Sequence, residues 1–168
     1  ADLAELVVGS VELEAGDVVV VDPNRDERVI PCAKPYDTSV LGVVSSQPGF
    51  LLRGPTGAAD VGLTGGQPLA LAGRVPCKVT LENGSIRRGD LLTTSSTTGH
   101  AMKAVDPLKG GIVGTALQEF TGEDGSETGR IVIFCHLQAG GVPAAGSGGG
   151  DVEERLRRLE RVLLDRTE

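Results

Sequence analysis

The chain has 168 residues and a formal net charge of −7, and 39% of it is hydrophobic although only 2% is aromatic. This length predicts one domain with an appendage at most, and its core must be built from Val, Leu, Ile and Ala. The acidic balance, without clustered Lys and Arg before the C-terminal segment, argues against nucleic-acid binding. No apolar run approaches the roughly 18 residues that a membrane-spanning helix needs, so we expect no membrane insertion.

The composition also favours short strands. The 25 Gly and 9 Pro residues are typical of a turn-rich, all-β chain. Similar segments recur in the same order: "LEAGDVVVVD" (13–22) and "IRRGDLLTTS" (86–95), then "VLGVVSSQ" (40–47) and "GIVGTALQ" (111–118), then "LAGRVPCKV" (71–79) and "ETGRIVIFCHL" (127–137). The last spacing is longer in the first copy, which indicates an insertion at about 48–66.

These repeats predict a β-domain over residues 1–137. We expect a duplicated unit of short strands that forms a β-barrel or sandwich, with related halves at about 10–80 and 84–137. The runs "VVVV" (18–21) and "IVIF" (131–134) are continuously apolar, which predicts strands that are buried on both faces.

Cys32, Cys77 and Cys135 lie far apart in the sequence, and none belongs to a close pair such as CxxC. This pattern predicts buried free thiols, with no metal site and no cofactor. Neither histidine accompanies a recognisable nucleophile motif, so the sequence indicates no metabolic enzyme. A dyad of Lys34 with Ser45 is an open alternative, although Ser after a strand ordinarily belongs to a turn.

Asp2 and Glu5 are the candidate catalytic residues. In a helical turn, positions three apart lie on one face, and two close carboxyl groups there can divide the roles of acid and base. The peptide bond between Ala1 and Asp2 would then be within reach of both groups, which is a setting for self-cleavage. The alternative is an ordinary pair of solvated carboxylates near a terminus.

The C-terminal segment has a different character. The stretch "QAGGVPAAGSGGG" (138–150) is typical of a flexible linker, and "DVEERLRRLERVLLDRTE" (151–168) predicts a helix that begins after an Asp N-cap. One face of that helix carries a 4-3-4 heptad seam formed by Val152, Leu156, Leu159 and Leu163. We expect this seam to form a short coiled coil between copies, and the alternative is a helix that docks on its own β-domain.

The blocks "DLAE", "EAGDVVVVDP", "YDTSVLGVVSSQPG", "LALAGRVPCKV", "GSIRRGDLL" and "GHAMKA" resemble the autoproteolytic intramolecular chaperone domain of phage pre-neck appendage proteins. Similar C-terminal domains occur on phage tail fibres and bacterial surface proteins. The resemblance covers about residues 2–137. It implies a homo-oligomer, as a trimer, whose partner is the upstream fibre of the same polypeptide.

The resemblance also implies a site and a location. In self-cleaving members the cut lies just before an Asp, with a Glu shortly downstream, which places the scissile bond at Ala1–Asp2 and gives Glu5 the role of base. These members are glutamic-type peptidases that act once, in cis. The implied location is a virion, a phage-like particle or the bacterial cell surface, after assembly in the cytoplasm. The alternative function is a non-catalytic capsid or tail decoration or binding module.

Overall fold

The computed structural model describes residues 1–52 and 66–136, together with Arg157, Glu160 and Arg161. Most of the predicted insertion, the predicted linker (138–150) and the seam residues of the predicted helix lie outside the described residues. The three described residues of the C-terminal segment have helical backbone and are exposed. The coiled coil therefore stays a prediction.

Short strands make up the described part of the β-domain. In chain order they are β1 (Asp2–Val8), β2 (Val18–Val21), β3 (Val29–Pro31), β4 (Val40–Val44), β5 (Phe50–Leu52), β6 (Gly66–Thr80), β7 (Leu91–Thr94), β8 (Ala101–Lys103), β9 (Ile112–Ala116) and β10 (Thr128–Cys135). A single 3-10 turn, Pro107–Lys109, lies between β8 and β9. Valine is prominent in the strands, and its branched side chain suits a pleated, half-buried surface.

Strand β6 organises the fold because it is long enough to take part in two rings of strands. Its first half pairs with β1 and β4, and β4 continues through β2 to β3. A bridge between Gly9 and Val29 joins β3 back to the chain after β1. The second half of β6 pairs with β10 and β8, which are joined through β9 and β7. The prediction of an all-β barrel is confirmed.

The two rings repeat the same pairing register. In the first ring, Val19 pairs with Gly42 and the register of β2 against β4 then shifts by one residue. In the second ring, Leu92 pairs with Gly114 and the register of β7 against β9 shifts at the same point. The two turns that lead into β2 and β7 also match, since Gly16 and Gly89 both have a φ of 89°.

Gly42 and Gly114 allow a close approach between strands. A Cβ atom on Gly42 would overlap the carbonyl oxygen of Ala70, and a Cβ on Gly114 would overlap the carbonyl oxygen of Phe134. Only glycine lets a neighbouring backbone come this near. The two glycines therefore fix where β4 meets β6 and where β9 meets β10.

The predicted equivalence of the two Gly-Arg segments is wrong. Val44 of β4 and Ala116 of β9 each lie two residues after the register glycine of their ring, so they are equivalent positions. Val44 pairs with Leu69 and Ala116 pairs with Ile133, which makes Leu69 and Ile133 the equivalent residues of the next strand. Gly73 and Gly129 occupy different places in their ladders as a result. A short Gly-Arg match carries little information, whereas strand register is set by burial along the whole strand.

The core is formed by aliphatic side chains in two clusters. One cluster fills the space shared by both rings and includes all three cysteines, and the other lies within the first ring around Leu13, Val19 and Leu69. Cys32, Cys77 and Cys135 are free and buried, as predicted. In the described part of the chain, no helix is both long enough and apolar enough to span a membrane.

Only one of the two apolar runs is buried on both faces. The prediction for "VVVV" is confirmed for Val18, Val19 and Val20, which are all buried, but not for the last residue, Val21, which is exposed. The prediction for "IVIF" is wrong, because Ile131 and Ile133 are buried while Phe134 is 45% exposed. One face of strand β10 lies against the core of the second ring and the other faces outward, so its side chains alternate between core and solvent.

Candidate functional site

Asp2 and Glu5 lie on a strand, so the expected helical turn is wrong. Both belong to β1, which pairs with β6 on one side and with β5 on the other. Side chains three apart on a strand point to opposite faces. The Asp2 side chain accordingly points inward and is buried, whereas Glu5 is exposed.

Two backbone hydrogen bonds hold the residues on either side of the peptide bond between Ala1 and Asp2. The carbonyl oxygen of Ala1 accepts a hydrogen bond from the backbone N–H of Arg74, at 3.3 Å. The carbonyl oxygen of Asp2 accepts one from the N–H of Gly49, at 3.0 Å. The N–H of Arg74 is thus aimed at the carbonyl group where negative charge would develop during hydrolysis.

Two glycines surround this peptide bond. A Cβ on Gly73 would lie 2.7 Å from the carbonyl oxygen of Ala1 and 2.9 Å from the Cα of Asp2. A Cβ on Gly49 would lie 2.5 Å from the Cβ of Ala1. All three distances are shorter than van der Waals contact, so the bond and its neighbours occupy space that a side chain would otherwise take.

The Asp2 carboxyl group is incompletely satisfied. Asp2 is 5% exposed, and its Oδ2 is buried without a hydrogen-bond partner. Most buried polar atoms in proteins have a partner, so an orphaned carboxyl oxygen calls for an explanation. This oxygen is the feature of the described chain that most resembles a functional group.

A cysteine lies beside Asp2. Gly73 pairs with Asp2 on one side and with Cys135 on the other, and since glycine has no side chain the two neighbouring side chains face each other across it. Burial, and then the negative charge of Asp2, raise the pKa of the Cys135 thiol to about 11. The Cys135 Sγ lies 3.5 Å from the carbonyl oxygen of Ala70, to which it donates. Cys135 is therefore a protonated thiol at neutral pH and is not a nucleophile.

Sequence reasoning identified Asp2 and Glu5 but missed the groups around them. Gly49, Gly73 and Arg74 act through a backbone N–H or through a missing side chain, and neither leaves a recognisable pattern in a single sequence. The "GR" at Gly73 and Arg74 drew attention as a repeat, which is not its role. The seam residues Val152, Leu156, Leu159 and Leu163 lie outside the described residues.

The outer face of the second ring carries exposed apolar side chains. Phe134 pairs with Thr115, and Thr115 pairs with Leu91, so the three side chains share one face across β10, β9 and β7. Phe134 is 45% exposed and Leu91 is 38% exposed. We call Phe134, Thr115 and Leu91 the outer row.

Residues 1–52, 66–136 and the three described tail positions contain no cluster of His, Cys, Asp and Glu that could hold a metal ion.

Comparison with known proteins shows a similarity of fold to solved structures. No family model matches the sequence, and no curated protein matches it. The structure is similar to the crystal structure of the bacteriophage phi29 gene product 12 C-terminal fragment, with a TM-score of 0.53 and 14% sequence identity. The match covers 82% of this chain and 100% of that fragment.

A second similarity is to the head fiber gp8.5 N base of bacteriophage phi29. It has a TM-score of 0.40 and 15% identity, and it covers 80% of this chain and 89% of the other. The chain thus has the fold of the gene product 12 fragment, and the match extends over the whole of that fragment.

Proposed function

We propose that this chain is the C-terminal trimerisation and intramolecular chaperone domain of a phage-tail-like or bacterial surface fibre. The observation that carries this proposal is the similarity of fold to the gene product 12 C-terminal fragment over that fragment's full length. The proposed location is the virion, a phage-like particle or the bacterial cell surface. The partners are further copies of the chain and the upstream fibre of the same polypeptide.

The proposed domain organisation has three parts. Residues 1–137 form the β-domain with two related halves (about 10–80 and 84–137), 138–150 form a linker and 151–168 form a coiled-coil helix. A helix with a heptad seam raises the effective concentration of the β-domains that it joins, and this favours their alignment in register.

The outer row supports self-association of the β-domain. Phe134 and Leu91 are large apolar side chains that lie exposed on one sheet face, and such a patch is costly to leave in water. Phe134 is also the penultimate residue of β10, close to the start of the C-terminal segment. Copies that are joined by a coiled coil would have this face available for mutual contact.

The test of trimerisation is the solution mass of the full chain, measured by light scattering after size-exclusion chromatography. We expect a trimer, and we expect the double variant Leu156→Glu/Leu159→Glu to shift the mass toward the monomer because it places charge in the seam. Arg161→Ala, which changes an exposed residue of the same segment, is the matched control and should leave the mass unchanged. A wild-type chain that is monomeric at micromolar concentration would contradict the proposal.

Self-cleavage of the Ala1–Asp2 bond is the second part of the proposed function. Water adds to the carbonyl carbon of Ala1, the C–N bond to Asp2 breaks, Ala1 leaves with a carboxyl group and the nitrogen of Asp2 takes up a proton to become an amine. The orphaned Oδ2 of Asp2 supports a role for Asp2 in the cleavage, as the partner of Glu5. The role of Glu5 as base rests on the resemblance, because its side chain points away from that of Asp2.

The test of cleavage uses the chain extended upstream of Ala1 by its natural preceding residues or by an inert tag. Mass spectrometry should find a product that begins at Asp2, and Asp2→Asn and Glu5→Gln should abolish it. Glu12→Gln is the control, because Glu12 is an exposed carboxylate outside β1. Persistence of the whole wild-type chain, or a product that forms equally in both variants, would rule this part out.

A binding or decoration module is the alternative function. The described start of the predicted insertion favours it, since Phe50 is 62% exposed and Leu52 is 40% exposed on β5. Such a module would be stable as a monomer and would keep the bond before Asp2 intact. The two experiments above therefore distinguish it from the first proposal.

A further inference from the structure

Gly49 lies directly against the residue that precedes the proposed cut. Its N–H donates a hydrogen bond of 3.0 Å to the carbonyl oxygen of Asp2. A Cβ on Gly49 would lie 2.5 Å from the Cβ of Ala1, 3.2 Å from the Cα of Ala1 and 3.4 Å from the backbone nitrogen of Asp2. All three atoms belong to Ala1 or to the bond that follows it.

The backbone conformation does not explain why residue 49 is a glycine. Gly49 is not among the described glycines with a positive φ, so an alanine would suffer no left-handed strain there. Gly49 is also exposed, and it lies in the loop between β4 and β5. What excludes a side chain at this position is its contact with Ala1.

The bond that follows Ala1 is confined on its other side by β6. The N–H of Arg74 holds the Ala1 carbonyl oxygen, and Gly73 leaves room for that oxygen. Ala1 therefore cannot retreat from a new methyl group at residue 49 without weakening the hydrogen bond to Arg74. Displacement of a reacting bond by about 1 Å can reduce a rate by about 100-fold.

We propose that Gly49 is a positioning residue for the cleavage of the Ala1–Asp2 bond. Its missing side chain and the small side chain of Ala1 are complementary, and together they hold the scissile carbonyl against the N–H of Arg74. The proposal rests on the proposed self-cleavage. It adds a steric requirement that links residue 49 to the residue before the cut, and Gly49 itself does not touch the reacting proton or water.

The experiment measures the cleavage rate of the extended chain by intact mass over time. Gly49→Ala should slow cleavage by about 100-fold, and Gly49→Ala combined with Ala1→Gly should restore most of the rate because the second change removes the opposing methyl group. The rate of Ala1→Gly alone is the reference against which the double variant is compared. Gly66→Ala is the matched control, because Gly66 also lacks a positive φ and a Cβ there would meet its neighbours at no less than 3.8 Å.

The outcomes separate this inference from the function on which it rests. A wild-type chain that does not cleave overturns both. A wild-type chain that cleaves while Gly49→Ala cleaves equally fast overturns the positioning role alone. A slow Gly49→Ala variant that Ala1→Gly fails to restore also overturns it, because the effect then does not come from the contact. Thermal unfolding of each variant shows whether a loss of rate reflects a loss of folding.

Discussion

The two halves of the β-domain have the same strand pairing but differ in what covers them. Gly16 and Gly89 enter their strands with the same φ of 89°. A Cβ on Gly16 would meet the Cγ of Lys78 at 3.3 Å, whereas a Cβ on Gly89 would meet nothing within 4 Å. The first turn is covered by the second half of β6, and the second turn is open to solvent.

The aspartates of these turns show the same difference. Asp17 and Asp90 each accept a hydrogen bond of 2.8 Å from a backbone N–H three residues earlier. Asp17 also pairs with Lys78 at 2.7 Å, with the side chains 7% and 15% exposed. Asp90 pairs with Lys103 at 3.5 Å, with the side chains 24% and 34% exposed. Backbone geometry is thus repeated where glycine and aspartate recur, while electrostatics depends on where the two halves meet.

The largest effect that we expect comes from the two register glycines. Gly42→Ala and Gly114→Ala should each lower the free energy of unfolding by about 3 kcal/mol, because the new methyl group overlaps a backbone carbonyl that cannot move aside. Chemical denaturation measures both effects. Similar losses support equivalent geometry in the two halves, with Gly66→Ala as the neutral control. Full tolerance of either change would break the comparison.

Next in size is the difference between the two turn aspartates. Asp17→Ala and Asp90→Ala both remove the turn hydrogen bond, but only the first takes a partner from the largely buried Lys78. Lys78 keeps its second partner, Glu14, at 2.6 Å. We expect a loss of about 3 kcal/mol for Asp17→Ala, which removes both the turn hydrogen bond and the less exposed of these two carboxylates, and roughly 1 kcal/mol for Asp90→Ala. Equal losses in urea denaturation would show that burial between the halves adds nothing.

The smallest effect concerns alkaline pH. Cys135 of the second half and Leu71 of the first half are equivalent positions in the strand pairing. Only the second half therefore has a titrating group at this position. The pKa of Cys135 rises from 9.0 to about 11 on folding, through burial and then the charge of Asp2. The unfolded chain therefore loses this proton first. The corresponding stability is complete below pH 9.0 and is lost as the pH rises toward about 11.

This loss should amount to between about 2 and 3 kcal/mol, at roughly 1.4 kcal/mol for each pH unit. For Lys78, burial opposes the charge, but hydrogen bonds with Asp17 and Glu14 outweigh burial and raise its pKa, which adds a decline at still higher pH. Urea midpoints between pH 7 and 11 measure the profile. Burial also raises the pKa of the Cys32 and Cys77 thiols, which adds to the same decline. Cys135→Ala should therefore make the decline shallower, and Val75→Ala should lower the stability evenly at every pH. A profile unchanged by Cys135→Ala would contradict the assignment.

Much of the barrel could be predicted from residues whose local role is unambiguous. The Gly-Asp turns at Gly16 and Gly89 and the recurring glycines Gly42 and Gly114 indicated short strands in a repeated order, because their backbone requirements appear in the sequence itself. The pairing of the second half of β6 with β8 and β10 could not be predicted, because these partner strands are distant from β6 in the chain. The alternation in "IVIF" was missed for the same reason, because burial depends on which ring a strand joins.

The candidate site was predictable only in part. Asp2 was identified by its spacing from Glu5 and then by the resemblance. Its inward orientation depends on β1 being a strand, and β1 is a strand because β5 and β6 pair with it. No local pattern at Glu5 distinguishes a helical turn from a strand edge. The contacts of Gly49 and Arg74 with Ala1 are tertiary contacts of the backbone, which a single sequence does not encode in recognisable form.

The sharing of β6 between the rings has a consequence for folding cooperativity. Opening either ring would strip one half of Gly66–Thr80 of its backbone partners and would expose the core cluster that both rings share. The domain should therefore unfold as a single cooperative unit, without a stage at which one half survives alone. Because each ring closes between segments far apart in the chain, folding should be slow.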